Sequence, residues 1–285
     1  MLRVIFKKYF SDQSIKMRLS GYQPQYFPRL HYFNRALDSD VFEISDYIQY
    51  VRKHAYPTSS GKLKRGKSYQ SHTPIKLAAG VFDLSIPVHD QILPINKTQI
   101  SYSDNWVNKH LASIETGYRK STNFSKIYPE IEVLLKKKYT NLASLTIYTI
   151  LWGLLRLLTD ENIEIEKLSV ASVNMLLPKN KVFRLKKIFI ASESPVPPPD
   201  KGKANDWIIA LCKYANADEY FYGGTSGSAY MDLDAFKKAN ITTALQDWHC
   251  QVYSQQYKKV GFIPNLSIID LVMNLPLQDR QKIIR

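Results

Sequence analysis

The chain has 285 residues, of which 45% are hydrophobic and 22% charged, with a formal net charge of +14. This composition excludes an intrinsically disordered chain and supplies enough apolar side chain for a closed core. The basic excess favours anionic partners such as phosphorylated metabolites, nucleic acid or an anionic membrane surface; no nucleic-acid-binding motif accompanies it, so no specific nucleic-acid partner is expected.

Residues 1–16, MLRVIFKKYFSDQSIK, lack the apolar stretch and cleavage site of a secretory leader. They read as a poorly ordered extension, with a single α/β domain over 17–285. MRLSGYQ (17–23) predicts a strand running into a proline turn, RLHYFNRALDS (29–39) a short helix, and DVFEISD (40–46) a strand that alternates apolar and polar residues and ends on a carboxylate. Strand, helix, strand is the βαβ unit of an α/β fold.

The segment 51–80 is basic and rich in Gly and Ser and reads as a long loop. GVFDLSIPV and NKTQISYS read as paired strands joined by HDQILPI. SDNWVNKHLASIETGY opens with Ser103 as a candidate N-cap; with KIYPEIEVLLKKKY and the stretch 142–158 it forms a helical insertion over about 103–178. That last stretch, LASLTIYTILWGLLRLL, falls short of the ~20 apolar residues of a bilayer span and is broken by polar side chains. It reads as a buried helix, and no transmembrane segment is expected.

KKIFIASE (186–193) predicts a strand, and the proline-rich SPVPPPDKGK cannot be helical. NDWIIALCKYANA, DEYFYGG, YMDLDAFKKAN and ITTALQD then alternate helix and strand. The expected architecture is a mainly parallel sheet with flanking helices, Rossmann-like. The two cysteines, Cys212 and Cys250, suggest reduced thiols and a cytoplasmic location. Six histidines show no metal-ligand spacing, and no motif names a cofactor.

Candidate chemistry concentrates in three places. YFYGGTSGSAYMD (220–232) follows a predicted strand and precedes a helix. Gly223 and Gly224 would bring backbone N–H groups to an anion, Ser226 would add a hydroxyl and Tyr230 a ring; a plain turn is the structural alternative. GYQPQYFPRLHYF (21–33) has Gln23 at a strand end and the rings of Tyr26, Phe27, Tyr32 and Phe33. They suit either a wall against a sugar or base ring or a core beneath a loop. Asp46 and Asp247, at or after strand ends, could orient an amine or act as bases, or cap turns. His31 and His110, the latter beside Lys109, complete the acid–base candidates.

YQPQYFPRLHYFNRALDSDVFEISDYIQY, DNWVNKHLASIETGYRKSTNF, DEYFYGGTSGSAYMDLDAFKKANI and QVYSQQYKKVGFIPNLSIIDLVMN, in that order, resemble the motifs of the WbqC-like family. The likeness covers about 17–275. His31 stands where the family usually has Gly, and Pro276 where Gly is usual. The resemblance implies a bacterial enzyme of surface-polysaccharide (O-antigen) biosynthesis. The implied reaction is transfer of an acyl or aminoacyl group, such as glycyl, to an amino sugar of a nucleotide-linked precursor. On that reading Asp46, His31 and His110 are catalytic candidates. Gln23, Tyr26, Tyr32, Gln49, Tyr50, Lys109, Gly223, Gly224, Ser226, Tyr230 and Asp247 bind the nucleotide-linked amino sugar or another anionic small molecule. The strand–QPQYFPRLHY–helix layout also resembles the nucleotidyltransferase-like HUP fold. That keeps open an ATP-using ligase or nucleotidyltransferase, beside a non-catalytic sugar-nucleotide-binding protein.

Overall fold

A computed structural model describes residues 16–57, 63–89, 92–224 and 231–285, without the side chains of 54–57 and 63–65. The expected extension thus lies, but for Lys16, outside the described residues.

Five parallel strands form the central sheet: β1 (Arg18–Tyr22), β2 (Val41–Ile44), β7 (Lys187–Ile190), β8 (Glu219–Tyr222) and β9 (Thr242–Leu245), in the spatial order β7-β2-β1-β8-β9. Numbered in chain order within this sheet, that is 3-2-1-4-5, the Rossmann order. Helix α1 (Leu30–Leu37) joins β1 to β2, α6 (Ala204–Tyr214) joins β7 to β8, and α7 (Leu233–Lys238) lies between β8 and β9. The connections leave β1 and β8 in opposite directions. A crevice therefore opens between the carboxyl ends of these two strands, the topological switch point of such sheets.

Both faces of the sheet are covered. Phe42, Ile44 and Ile188 join α1 and the long buried helix α4 (Leu142–Leu158) in one apolar cluster. Leu19, Val41, Phe189 and Tyr220 join Ile208, Leu211 and Phe236 of α6 and α7 in the other. At the amino edge, the buried carboxylate of Asp40 accepts from the backbone N–H of Arg18 (2.8 Å), from Arg184 Nε (2.6 Å) and from Lys186 Nζ (2.9 Å), fixing the starts of three strands together.

Between β2 and β7 lie two hairpins, β3 (Lys53–Pro57) with β4 (Leu63–Lys67) and β5 (His72–Leu77) with β6 (Gly80–Ser85). Then come α2 (Trp106–Tyr118), α3 (Phe124–Lys136), α4 and α5 (Val170–Leu176). The chain ends in α8 (Ile268–Asn274) and α9 (Leu277–Ile284).

Three expectations are corrected here. Much of 51–80 is hairpin rather than loop. GVFDLS pairs with the preceding HTPIKL and not with NKTQISYS, whose one link is an isolated bridge from Ile100 to Val88. Ser103 does not cap α2, which starts at Trp106 after Asn105; its hydroxyl lies 2.8 Å from that of Ser101.

Candidate functional site

Side chains alternate across a strand, so Glu43, two residues after Val41, faces α6 as Val41 does. Its neighbours in register are Gly21 on β1 and Phe189 on β7. Gly21 brings no side chain to this row, and the space above it is a cavity of about 270 Å³ at the carboxyl ends of β1, β2 and β8, roofed by Trp207, Ile208 and Leu211 of α6. The close fit explains the glycine: a Cβ on Gly21 would overlap Glu43 Oε2.

Glu43 is 1% exposed. Its Oε2 accepts a hydrogen bond from Ser45 Oγ at 2.7 Å, and its Oε1 has no partner. Burial first, with the nearby Asp46 adding to it, pushes the carboxyl up to about 8 against the pull of the Ser45 hydrogen bond. A buried carboxyl with one unpartnered oxygen lining a cavity is costly as structure and suited to receiving a polar ligand.

A second cavity, of about 260 Å³, lies beside the first and shares Tyr22, Arg35 and Gly223 with it. Arg35 projects from α1. Its Nε and Nη2 both donate to Gln246 Oε1 at 3.0 Å, and its guanidinium lies over the Tyr22 ring, 4.2 Å from the centroid. Gln246 is itself positioned by donating to the His31 carbonyl (2.8 Å) and to Asn34 Oδ1 (2.6 Å). His31 and Trp248 complete the second cavity. Burial and then the Arg35 charge lower the His31 imidazole to about 4, so it is neutral at physiological pH.

The expected site residues divide. Gln23 and Gly223 line the first cavity, and His31, Gly223 and Gly224 the second. The Gln23 side-chain Oε1 accepts from Gln70 Nε2 at 2.5 Å. Asp46 sits at the same sheet edge but turns away from both cavities. It accepts from Ser192 N (3.0 Å), Ser192 Oγ (2.6 Å) and Asn96 Nδ2 (3.2 Å), tying β2 to the turn after β7. Tyr32 is fully buried behind the site, stacked on Tyr22 at 4.7 Å, with an unpartnered hydroxyl. Tyr50 is buried, its hydroxyl 2.8 Å from Ser71 Oγ. Gln49 lines a different surface hollow, Lys109 is exposed and paired with Asp104, and Asp247 is exposed beside His249. Ser226 and Tyr230 lie outside the described residues.

Tyr26 and His110 form a pair of their own: the hydroxyl lies 3.0 Å from His110 Nδ1, inside the apolar core. Burial, outweighing a backbone hydrogen bond with Ser85, lowers His110 to about 4. Tyr26→Phe should cost about 1–3 kcal/mol of stability, because a buried imidazole nitrogen loses its partner. It should leave ligand affinity unchanged. Melting curves beside a ligand titration test this; lost affinity at unchanged stability would return Tyr26 to the site.

Glu43, Arg35 and Gln246 escaped the sequence reading. Glu43 could have been found as a carboxylate in the middle of a strand that a parallel sheet buries on both faces. Among the described residues no cluster of His, Cys, Asp and Glu could hold a metal ion, and no helix is long and apolar enough to cross a membrane.

Residues 23–282 match the WbqC-like protein family, nearly the whole chain. The protein belongs to that family. No curated protein and no solved structure matches it. In this WbqC-like protein the opening signature begins at Tyr22, the last residue of the switch-point strand β1, supplies the helix that carries Arg35, and runs on through β2 with Glu43.

Proposed function

We propose that this WbqC-like protein transfers an acyl or aminoacyl group, such as glycyl, to the amine of an amino sugar on a nucleotide-linked precursor of bacterial surface polysaccharide. The observation that carries the reading is Glu43: a buried carboxyl, raised to about 8, with one oxygen unpartnered at the switch-point cavity. An amine attacks an acyl carbon only as the free base. A general base works best with a pKa near the working pH; a carboxyl so raised loses its own proton to solvent when an ammonium approaches and favours the anion, and that anion can then take the amine's proton. Nitrogen then adds to the acyl carbon, the bond from that carbon to the leaving group breaks, and the departing group takes a proton. Gln23 and Ser45 flank the carboxyl and suit the hydroxyls of a sugar ring.

The test offers nucleotide-linked amino sugars with activated acyl and aminoacyl donors and follows N-acylated product by mass spectrometry. Wild type should turn over, and Glu43→Gln should lose about 10²–10⁴-fold in rate. Equal rates would remove Glu43 as the base. Pyrophosphate release from ATP with a free amino acid would instead favour an ATP-using ligase.

A further inference from the structure

Arg35 is a cation on the boundary between two cavities. It is 7% exposed, and no carboxylate pairs with it among the described residues. Two of its N–H groups are spent on one neutral oxygen, Gln246 Oε1. A guanidinium carries five N–H donors in a planar fork, and the Gln246 contact fixes the plane without neutralising the charge. Stacking on Tyr22 holds the other face. Gly223 runs so close that a Cβ there would lie 2.5 Å from Arg35 Cζ and nearer still to Nη2. The strand end, the helix and the glutamine thus hold one charged group in one place, at the carboxyl edge of a Rossmann-ordered sheet.

From this geometry we infer that Arg35 clamps the diphosphate of a nucleoside diphosphate whose sugar occupies the Glu43 cavity and whose nucleoside occupies the Trp248 cavity. The inference rests on the proposed function for the direction of the sugar, not for the diphosphate. The two cavities meet at Tyr22, Arg35 and Gly223, so a ligand that fills both must cross the guanidinium. A diphosphate is the anionic link that suits a bidentate arginine there. On the far side, the Trp248 indole is anchored by donating to the Ile283 carbonyl at 3.2 Å, and the His31 ring beside it is neutral, which gives an aromatic, uncharged lining suited to a base or ribose. The carboxyl and the guanidinium divide the labour: one meets the amine, the other the phosphates.

Calorimetric titration of the whole chain with a uridine and a thymidine diphosphate, the matching nucleosides, inorganic pyrophosphate and farnesyl diphosphate tests this. At least one nucleoside diphosphate should bind ten-fold or more tightly than its nucleoside, and pyrophosphate should compete with it. Arg35→Gln should weaken that binding at least ten-fold, and Glu43→Gln should change it less than three-fold. If Arg35→Gln melts early, Arg35→Lys keeps the charge while losing the fork and the planar stacking on Tyr22, and should still weaken binding several-fold. Equal affinity for nucleoside and nucleoside diphosphate overturns the inference, as does unchanged affinity in a folded Arg35 variant. Farnesyl diphosphate binding tighter than every nucleoside diphosphate also overturns it, in favour of a lipid-linked ligand. A failed diphosphate titration leaves the Glu43 rate test standing, and a Glu43→Gln enzyme with full turnover leaves the Arg35 clamp standing, so the two readings fail separately.

Discussion

Glu43→Gln should raise the melting temperature at pH 8 by about 4–8 °C and leave it unchanged near pH 4, in the absence of ligand. The effect comes from the difference between the folded and unfolded carboxyl. In the unfolded chain Glu43 titrates near its ordinary value, about 4.3. In the folded protein burial holds it up at about 8. Below pH 4 both states keep the proton, and the carboxyl has no pH-dependent effect on stability. Between the two values the unfolded chain releases the proton and the folded one retains it, so stability falls as pH rises. Above the folded value both states are ionised and the full penalty stays. A tenfold difference in proton affinity between the two states is worth about 1.4 kcal/mol, and the expected gain for a side chain of the same shape that cannot ionise is about 2–4 kcal/mol. Melting curves of both proteins from pH 4 to 9 check this. A gap that is constant with pH would mean that Glu43 is not destabilised as an anion, and would take from it the poised carboxyl on which the base role depends. The direction also carries meaning: a residue that costs stability at neutral pH, with an oxygen left unpartnered, is retained for something other than the fold.

The sheet was legible in the sequence because its strands are short apolar runs separated by helices with clear periodicity. VFEI, KIFI and EYFY each fall where the reading put a strand. The same reading hid the centre of the candidate site. Alternation in DVFEISD pointed to the carboxylate at the strand's end, Asp46, whereas Glu43 lies inside β2, which runs between β1 and β7 and is buried along its whole length. Period two tells which residues share a face and not what covers that face. Arg35 was hidden because RLHYFNRALDS marks only a short helix, and the return of β9 with Gln246, far away in sequence, is what encloses its guanidinium.

The aromatic run after β1 shows the converse. Its rings suit a binding wall equally well, but remote polar groups draw the loop inward. Phe27 takes a positive φ of 37°, its N–H donates to Thr149 Oγ1 (2.9 Å), and its carbonyl accepts from Thr73 Oγ1 (2.7 Å) and Ser267 Oγ (3.1 Å). Those partners lie on three elements far away in sequence, so nothing local marks these rings as core. The basic segment 51–80 lacked any alternation strong enough to show its hairpins, which are held by backbone pairing between their strands.

Gly223→Ala should abolish ligand binding and lower stability together, whereas Gly224→Ala should have a much milder effect. The two glycines are adjacent in sequence but differ in what surrounds them. At Gly223 a methyl group would overlap the Arg35 guanidinium and come within 2.7 Å of Gln246 Oε1. Neither neighbour can yield cheaply, because Gln246 is also committed to His31 and Asn34, and Arg35 is stacked on Tyr22. Accommodating the methyl group means pushing Arg35 off Gln246. That loses two charge-assisted hydrogen bonds and strains a packed site, at a cost of about 2–4 kcal/mol. At Gly224 a Cβ would meet nothing within 4 Å, and the one penalty is the backbone, whose φ of +59° suits glycine. That strain is worth about 1 kcal/mol. Thermal melts of the two variants, with nucleoside diphosphate titrations on each, separate the causes. Loss of affinity in Gly223→Ala with near-normal affinity in Gly224→Ala would locate the anion at the guanidinium. The opposite ranking would mean that the backbone amides after β8 hold the anion, with Arg35 serving only to brace α1 against β9.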